Sequence, residues 1–307
     1  MLDYKLIEAF AMVIQEGSFE KAARALYITQ SAVSQRVKLL EEFMGQILIA
    51  RSSPPRPTPA GLKFLKHYHQ VRCLEDDLFG DIDMPGNTGF TSIALGVNAD
   101  SLAFWFLEAI HKFILQEKIL LDIRVCDQEQ THQLLKGGEV MGCISTQDQP
   151  MQGCRIEYIE SMNYHLMATP EFVSQWFPHG LTFDAVSIAP AVIFDRHDDL
   201  HHKLLGKALG KIPHTFPIHY VPSVEKFADF IKLGLAYGML PAQQCIPLTR
   251  SGKMIDLMPD CNIQVKLFWH CWNLKSDLLE KLTKEISDNK SLISERVNSI
   301  LFEPGLH

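Results

Sequence analysis

Residues 19–42 constrain this chain most, because they predict two short helices joined by a tight turn. Apolar side chains lie on one face of each helix, and Val33, Val37 and Leu40 are spaced at i, i+4 and i+7 in the second one. Thr29 ends the turn, and its hydroxyl can cap the second helix. The pattern alone fits an ordinary amphipathic hairpin as well as it fits a unit that reads DNA with its second helix.

The polar side of the second helix and the segment after it carry groups that suit nucleic acid. Amides, hydroxyls and a long cation can reach base edges and phosphates in a major groove. A short apolar strand at 47–49 and a loop with three prolines predict a β-wing flanked by two arginines, with a plain proline-rich linker as the alternative. The residues predicted to contact DNA are Thr29, Gln30, Ser31, Ser34, Gln35, Lys38, Arg51 and Arg56.

A long helix is predicted between this N-terminal unit and the rest of the chain. Residues 3–16 form a first helix with a glycine stop, so that the N-terminal unit holds three helices. Thr58 and Pro59 then start a helix of about 20 residues that is apolar on more than one side. Such a helix predicts a symmetric dimer contact, or else packing on its own chain. Residues 82–90 have the composition of a hinge.

Strands alternate with helices beyond the hinge. The first strands are predicted at 91–98, 120–126 and 139–145, and a second set ends in a strand at 263–272. This alternation is typical of βαβ units, and it predicts an α/β region with a parallel sheet. A last helix is predicted from Ser276 to about Leu301.

The loops that follow the predicted strands hold the candidate ligand-binding residues. In open α/β sheets, ligands bind beyond the carboxyl ends of strands, next to helix N-termini. Hydroxyls and backbone N–H groups there can take a carboxylate, and acidic side chains can take a cation. The combination suits a small zwitterion with an additional positive charge, although each residue taken singly fits a loop cap or a solvated acid equally well. The residues predicted to bind this ligand are Ala99, Asp100, Ser101, Ser145, Thr146, Asp195, Asp198 and Ser223.

Composition and motifs exclude several classes of protein. No apolar run reaches the roughly 18 residues of a membrane-spanning helix, and the N-terminus does not resemble a signal peptide. The seven cysteines are scattered without a CxxC pair, which predicts free thiols in a reducing, cytoplasmic compartment. A net charge of −7 argues against non-specific coating of nucleic acid by the whole molecule. Enzyme motifs are missing and the histidine-rich stretch 196–203 reads as a loop, so no enzyme activity, metal site or cofactor is predicted.

The N-terminal region closely resembles that of LysR-type transcriptional regulators, in ITQSAVSQRVKLLEEFMG (28–45), in its arginine-bearing wing and in TPAG (58–61). The resemblance implies an α/β protein overall, with an all-α winged helix-turn-helix, a long linker helix and a two-lobed effector domain like the periplasmic solute-binding proteins. The implied units are the DNA-binding domain 1–58, the linker helix 59–80, the hinge 81–90 and the effector domain 91–303, in which lobe I comprises 91–163 and 269–303 and lobe II comprises 164–268.

Stretches in both halves, among them FDRHDD (194–199) and GMLP (238–241), resemble the lysine- and arginine-responsive branch of that family, also described as inhibitors of chromosome initiation. The resemblance implies a sequence-specific regulator that binds double-stranded DNA as a homodimer or tetramer and acts with RNA polymerase. Its effector would be lysine or arginine, held between the lobes, which agrees with the acids noted above. A different small effector, and an amino-acid-binding module without regulatory DNA binding, are the alternatives.

Overall fold

The computed structural model describes residues 2–50, 52–80, 89–125, 131–211, 213 and 215–294. Three short helices, a two-stranded wing and one long helix form its N-terminal region, and helices therefore occupy the positions predicted for them. These elements are α1 (Tyr4–Glu16), α2 (Phe19–Ala25), α3 (Gln30–Met44), β1 (Ile49–Ala50), β2 (Arg56–Pro57) and α4 (Pro59–Gly80).

Local capping residues determine where the first three helices begin. The side chains of Asp3, Ser18 and Thr29 each accept a hydrogen bond from a backbone N–H in the first turn of α1, α2 and α3. The apolar stripes of the three helices then meet in one small core, in which Phe10 and Leu40 are among the largest buried side chains. This compact unit leaves the polar side of α3 facing outward.

The wing is held to α3 by an acidic side chain. β1 and β2 run antiparallel, with Ile49 opposite Pro57. The carboxylate of Glu41, near the end of α3, accepts the backbone N–H of Leu48 at 2.7 Å and that of Ile49 at 3.1 Å. Glu41, which belongs to the stretch ITQSAVSQRVKLLEEFMG, therefore has a structural role, because it fixes the start of the wing.

The turn from the wing into α4 explains the Thr-Pro-Ala-Gly sequence. The Thr58 hydroxyl accepts the backbone N–H of Gly61 at 3.1 Å and donates to the Ile47 carbonyl at 2.8 Å. A Cβ at Gly61 would lie 2.2 Å from the Leu48 carbonyl oxygen. Only glycine therefore allows α4 to pass this close to the wing.

The linker helix α4 packs on its own chain along one side and is open on another. It contacts helix α7 (Thr131–Gly137) of the following domain, and Asp77 Oδ1 accepts the backbone N–H of Leu278 at 3.4 Å. Leu74 and Leu78, one helical turn apart, are exposed. The helix thus packs on its own chain along one side, and the exposed apolar strip on another side remains available for a dimer contact.

Strands and helices alternate in the remainder of the described chain. A π-helical turn, Leu102–Phe106, joins α5 (Ala99–Ser101) to α6 (Leu107–Gln116). The elements are β3 (Thr91–Val97), α5 (Ala99–Ser101), α6 (Leu107–Gln116), β4 (Ile119–Val125), α7 (Thr131–Gly137), β5 (Gly142–Ser145), β6 (Cys154–Ala168), α8 (Pro170–Trp176), α9 (Phe183–Ile188), β7 (Ala191–Ile193), α10 (Leu200–Leu209), β8 (Ile218–Tyr220), α11 (Val224–Lys232), β9 (Tyr237–Pro241), α12 (Ala242–Arg250), β10 (Ile255–Asp256), β11 (Ile263–Trp272) and α13 (Asp277–Asp288).

These strands form one mixed sheet in the order β4-β3-β5-β11-β6-β9-β7-β8, with β10 paired to β6. Strands β3, β4 and β5 are parallel, and so are β7, β8 and β9. The long strands β6 and β11 run antiparallel to each other and to their neighbours in the two sets. The predicted parallel sheet is right within each set and wrong for β6 and β11. Residues 146–153 form no crossover helix, so the chain cannot enter β6 parallel to β5.

Several predicted bounds differ from the observed ones. The second set of strands was predicted to begin after Met162, whereas β6 starts at Cys154. Its first half was missed because it is charged and partly exposed. The last helix ends at Asp288, and residues 295–301 of its predicted span, like residues 81–88 of the hinge, lie outside the described residues. Helices α8, α9 and α12 and strand β10 were not predicted. Within the described residues, no helix combines the length and the apolar character that a membrane crossing requires.

Candidate DNA-binding surface and effector cleft

The face of α3 that is predicted to read DNA is open to solvent. Val33, Val37 and Leu40 are buried in the N-terminal core, so the opposite side of the helix points outward. Side chains with hydrogen-bonding groups occupy that side, as a helix entering a major groove requires. The exposed residues among those predicted on α3 are Gln30, Ser31, Ser34, Gln35 and Lys38.

Other residues beside α3 complete this surface. Thr29 is exposed, but its hydroxyl accepts the backbone N–H of Ala32 at 3.2 Å and so caps the helix. Arg56 is exposed on the wing, whereas Arg51 lies outside the described residues. Tyr27, which sequence reasoning missed, is 95% exposed in the turn before α3 and has a left-handed φ of 54°. The sequence signal that could have identified Tyr27 is a large aromatic residue in a tight turn, a place where its side chain does not pack into the core.

A cleft of about 430 Å³ lies between the two sets of parallel strands. The end of β3 and the start of α5 line one side, the loop after β7 lines the other, and β6, β9 and β11 lie between them. Its size suits a small ligand. The predicted ligand residues that line it are Ala99, Asp100, Thr146, Asp195 and Asp198.

Three predicted ligand residues do not line the cleft. Ser101 and Ser145 are buried beside it, and the Ser145 hydroxyl accepts the backbone N–H of Gln147 at 3.2 Å. Ser223 caps α11 by accepting the backbone N–H of Lys226 at 3.5 Å. These residues follow strand ends as predicted, but none of their side chains faces the cleft. Ser101 is in the protein interior, Ser145 stabilises a turn and Ser223 caps a helix.

Asn98 and Gln244 are cleft residues that sequence reasoning missed. Asn98 is 2% exposed and stands at the N-cap position of α5 without making a capping hydrogen bond. Asn98 Oδ1 and Gln244 Oε1 are both buried and have no hydrogen-bond partner among the described residues. Buried polar atoms are nearly always paired, so a ligand N–H is a fitting donor for these two oxygens.

Asp100 is the acid whose ionisation the cleft perturbs most. Burial raises the pKa of Asp100 from its ordinary value to about 6. The Tyr164 hydroxyl, which donates to Asp100 Oδ2 at 2.6 Å, opposes this rise, and the negative charge of Asp198 adds to it. A ligand cation next to Asp100 would offset the lost solvation and favour the carboxylate.

The acids after β7 also hold their own loop in place. Asp195 Oδ1 accepts the backbone N–H groups of His197 at 2.7 Å and Asp198 at 3.2 Å. Asp198 in turn accepts the N–H of Leu200 at 3.0 Å on one oxygen and that of Phe194 at 3.3 Å on the other. Burial raises the pKa of Asp198, and these two backbone hydrogen bonds oppose the rise. The loop therefore presents a rigid acidic wall to the cleft.

The histidines of the 196–203 stretch do not converge. His197 lines the cleft, whereas His201 is fully buried with its ring 5.8 Å from that of Tyr237. The ring of His202 packs 5.6 Å from that of Phe216. In the part of the chain that the structure describes, no three or more His, Cys, Asp or Glu side chains are grouped to hold a metal ion.

Known proteins share both the N-terminal domain and the whole fold. Residues 4–62 match the family described as bacterial regulatory helix-turn-helix protein, lysR family. The chain is 38% identical over 285 residues to the HTH-type transcriptional regulator ArgP of Vibrio vulnificus (strain YJ016), an alignment that covers 93% of this chain and 96% of that protein. The resemblance inferred from the sequence is thereby confirmed.

Two solved structures share the fold over nearly their full length. The crystal structure of ArgP from Mycobacterium tuberculosis has a TM-score of 0.84 at 35% identity and covers 95% of this chain and 98% of that chain. Full-length LysG from Corynebacterium glutamicum, described with bound effector Arg, has a TM-score of 0.74 at 28% identity and covers 94% of this chain and 98% of that chain. The predicted architecture, α/β overall with a winged helix-turn-helix ahead of an effector domain, is confirmed. This chain belongs to the LysR family of bacterial helix-turn-helix transcriptional regulators.

Proposed function

We propose that this protein is a sequence-specific regulator whose activity is controlled by a basic amino acid, lysine or arginine, bound in the cleft. The observation that carries the proposal is the set of carboxylates, Asp100, Asp195 and Asp198, that lines a cavity of about 430 Å³. LysG, which has the same fold, is described with arginine as its bound effector.

An amino acid with a cationic side chain matches the polar groups of the cleft. It carries two positive charges and one negative charge, and acids on both sides of the cleft can compensate the two cations. The free N–H groups at the start of α5, from Ala99, and the Thr146 hydroxyl suit its carboxylate. The buried oxygens of Asn98 and Gln244 can accept its remaining N–H groups.

The DNA contact is assigned to α3 and the wing. The first 60 residues hold seven Lys and Arg against six Asp and Glu, so bulk attraction contributes little. Affinity then comes from a few placed contacts and from two copies of the domain on one DNA. We assign Gln30, Ser31, Ser34 and Gln35 to base edges and Lys38, Arg51 and Arg56 to phosphates.

The exposed strip of Leu74 and Leu78 on α4 supports assembly through this helix, as a homodimer or tetramer. Lobe I at 91–163 and 269–303 and lobe II at 164–268 agree with the strand pairing. Strand β6 begins to pair with β9 at Tyr164, and β11 begins to pair with β5 at Phe268. A cytoplasmic location, contact with RNA polymerase and the lack of an enzymatic activity complete the proposal.

Fluorescence polarisation with DNA from upstream of the protein's own gene tests the DNA-binding half. We expect preference for this fragment over a shuffled fragment of the same length at the same salt concentration. Lysine or arginine should change that binding, whereas leucine should not. Equal affinity for both fragments would refute sequence-specific binding.

Calorimetric titration with lysine, arginine and leucine tests the effector half separately. We expect heat from at least one basic amino acid and none from leucine, because leucine leaves the cleft acids without a cation. No binding of either basic amino acid would refute the effector and leave the family membership intact.

A further inference from the structure

Tyr164 lies where β6 passes from one lobe to the other. Its backbone pairs with Ile263 on β11 and with Pro241 on β9. The side chain is 1% exposed, and its hydroxyl donates to Asp100 Oδ2 at 2.6 Å. This length is typical of a charge-assisted O–H···O⁻ bond. One side chain thus connects the crossing strand to an acid of the cleft.

Asp100 uses one carboxylate oxygen for this bond, and its other oxygen is available to a ligand. Among the described residues, Oδ1 accepts no hydrogen bond, and Asp100 lines the cleft. Because the tyrosine holds Oδ2, the carboxylate cannot rotate freely and Oδ1 keeps a fixed position against the cavity. A site that is fixed in this way loses little entropy when a cation binds.

A second buried tyrosine shows that burial alone does not give a tyrosine hydroxyl a carboxylate partner in this domain. Tyr237, on the neighbouring strand β9, is 0% exposed, and its hydroxyl has no hydrogen-bond partner among the described residues. It does not line the cleft. The two tyrosines therefore form a matched pair, in which only Tyr164 contacts a group that can meet the ligand.

Charges around Asp100 favour a cation at this place. Asp198 acts on Asp100 from the opposite side of the cleft and raises the cost of its ionisation. The other titratable or charged side chains that line the cleft are Asp148, Asp195, His197, Asp199, Lys203 and Lys266. Of the two lysines, Lys203 is paired with Asp199 at 2.8 Å, so its charge is compensated locally.

We propose that Tyr164 is a positioning residue for effector recognition, which holds Asp100 against the cationic group of the bound amino acid. The inference rests on the function proposed above. A neutral amino acid of similar size leaves Asp100 without compensation and is rejected for that reason. Because Tyr164 belongs to the strand that joins the lobes, the same hydrogen bond connects the cation site to that strand.

Calorimetric titration of arginine and lysine across roughly pH 5 to pH 8, with the full-length wild type, Y164F and Y237F, tests the inference. Wild-type affinity should fall as the pH drops through about 6, because a proton then competes with the cation for Asp100. Y164F should bind about ten-fold more weakly near pH 7.5, with the midpoint of its pH profile raised by roughly one unit, since the carboxylate has lost a donor that favours its ionised form. Y237F should keep the wild-type affinity and midpoint.

The pH midpoint separates positioning from packing. If Y164F binds more weakly but keeps the wild-type midpoint, the hydroxyl serves packing only and the inference is overturned. Unchanged affinity of Y164F, or an equal loss in Y237F, overturns it as well. Binding of neither amino acid by the wild type refutes the proposed effector itself, which is a different result. Circular dichroism spectra and melting curves establish that each variant is folded.

Discussion

Replacement of Asp100 by asparagine should stabilise the ligand-free protein, and should do so more as the pH rises. The pKa of this carboxyl is raised by burial from 3.8 to about 6 in the folded protein. A group with a raised folded-state pKa contributes stability that is complete below the unfolded-state pKa and is lost as the pH rises through the folded-state value. Asparagine has nearly the same shape, can accept the Tyr164 hydrogen bond and carries no charge, so D100N avoids this loss.

The size of the effect follows from the two pKa values. A shift from 3.8 to about 6 corresponds to about 3 kcal/mol at high pH. Asp100 remains partly exposed to the cleft, so this figure is an upper limit, and we expect about 1–2 kcal/mol near neutral pH. Roughly half of the loss has already occurred at about pH 5, which leaves an increase of about 0.5–1 kcal/mol in the D100N advantage between about pH 5 and about pH 7.5.

Urea unfolding followed by tryptophan fluorescence measures this difference. The four tryptophans, Trp105, Trp176, Trp269 and Trp272, all lie in the effector domain, so the signal reports on the domain that contains Asp100. D148N is the matched control, because it removes an exposed carboxylate from the same cleft and leaves Asp100 in place. A D100N advantage that is the same at both pH values would refute the reasoning.

Further predictions concern the N-terminal domain. Gly61→Ala should destabilise it by roughly 2 kcal/mol, because the added Cβ would lie 2.2 Å from the Leu48 carbonyl oxygen. Thermal melts followed by circular dichroism measure this, and a variant that melts at the wild-type temperature would contradict it. Glu41→Ala should cost about 1–3 kcal/mol in the same melt, since it removes the acceptor 2.7 Å from the Leu48 nitrogen. Gln35→Ala should weaken binding to the specific DNA by about 1–3 kcal/mol and relax its sequence preference, so an equal loss on all fragments would argue against base contact. Lys38→Ala should weaken binding to every fragment and lower the slope of log affinity against log salt concentration by about one unit. An unchanged slope would contradict the assignment of Lys38 to a phosphate.

The N-terminal domain could be predicted closely because its signals act between residues near in sequence. A cap such as Thr29 and a glycine stop need only the adjacent turn of helix. The directions of β6 and β11 depend instead on pairing between distant residues. Trp269, for example, lies opposite Ile144 on one side and Glu157 on the other. No local pattern contains that information, so the prediction of a parallel sheet failed for these two strands.

The cleft was partly predictable for a similar reason. Strand ends in an α/β fold converge at one edge, which brings Asp100, Asp195 and Asp198 to a common cavity. Tyr164 lies within the chain's long strand β6, and only the folded chain shows that its hydroxyl reaches Asp100. Asn98 was missed because it is a candidate ligand residue only through its buried oxygen without a hydrogen-bond partner among the described residues, which is a property of the packed structure.

The contacts at the C-terminal end of α4 have a mechanical consequence. The Cys73 thiol and the Asp77 carboxylate hydrogen-bond to the start of α13, at Ser276 and Leu278. These contacts hold α4, the helix next to the DNA-binding domain, in a fixed position against lobe I. Under the proposed function, we expect closure of the cleft around an effector to move lobe II, and not lobe I, relative to the DNA. We expect this movement to present a different lobe II surface to a neighbouring subunit, so that an effector bound in the cleft acts at a distance from the DNA.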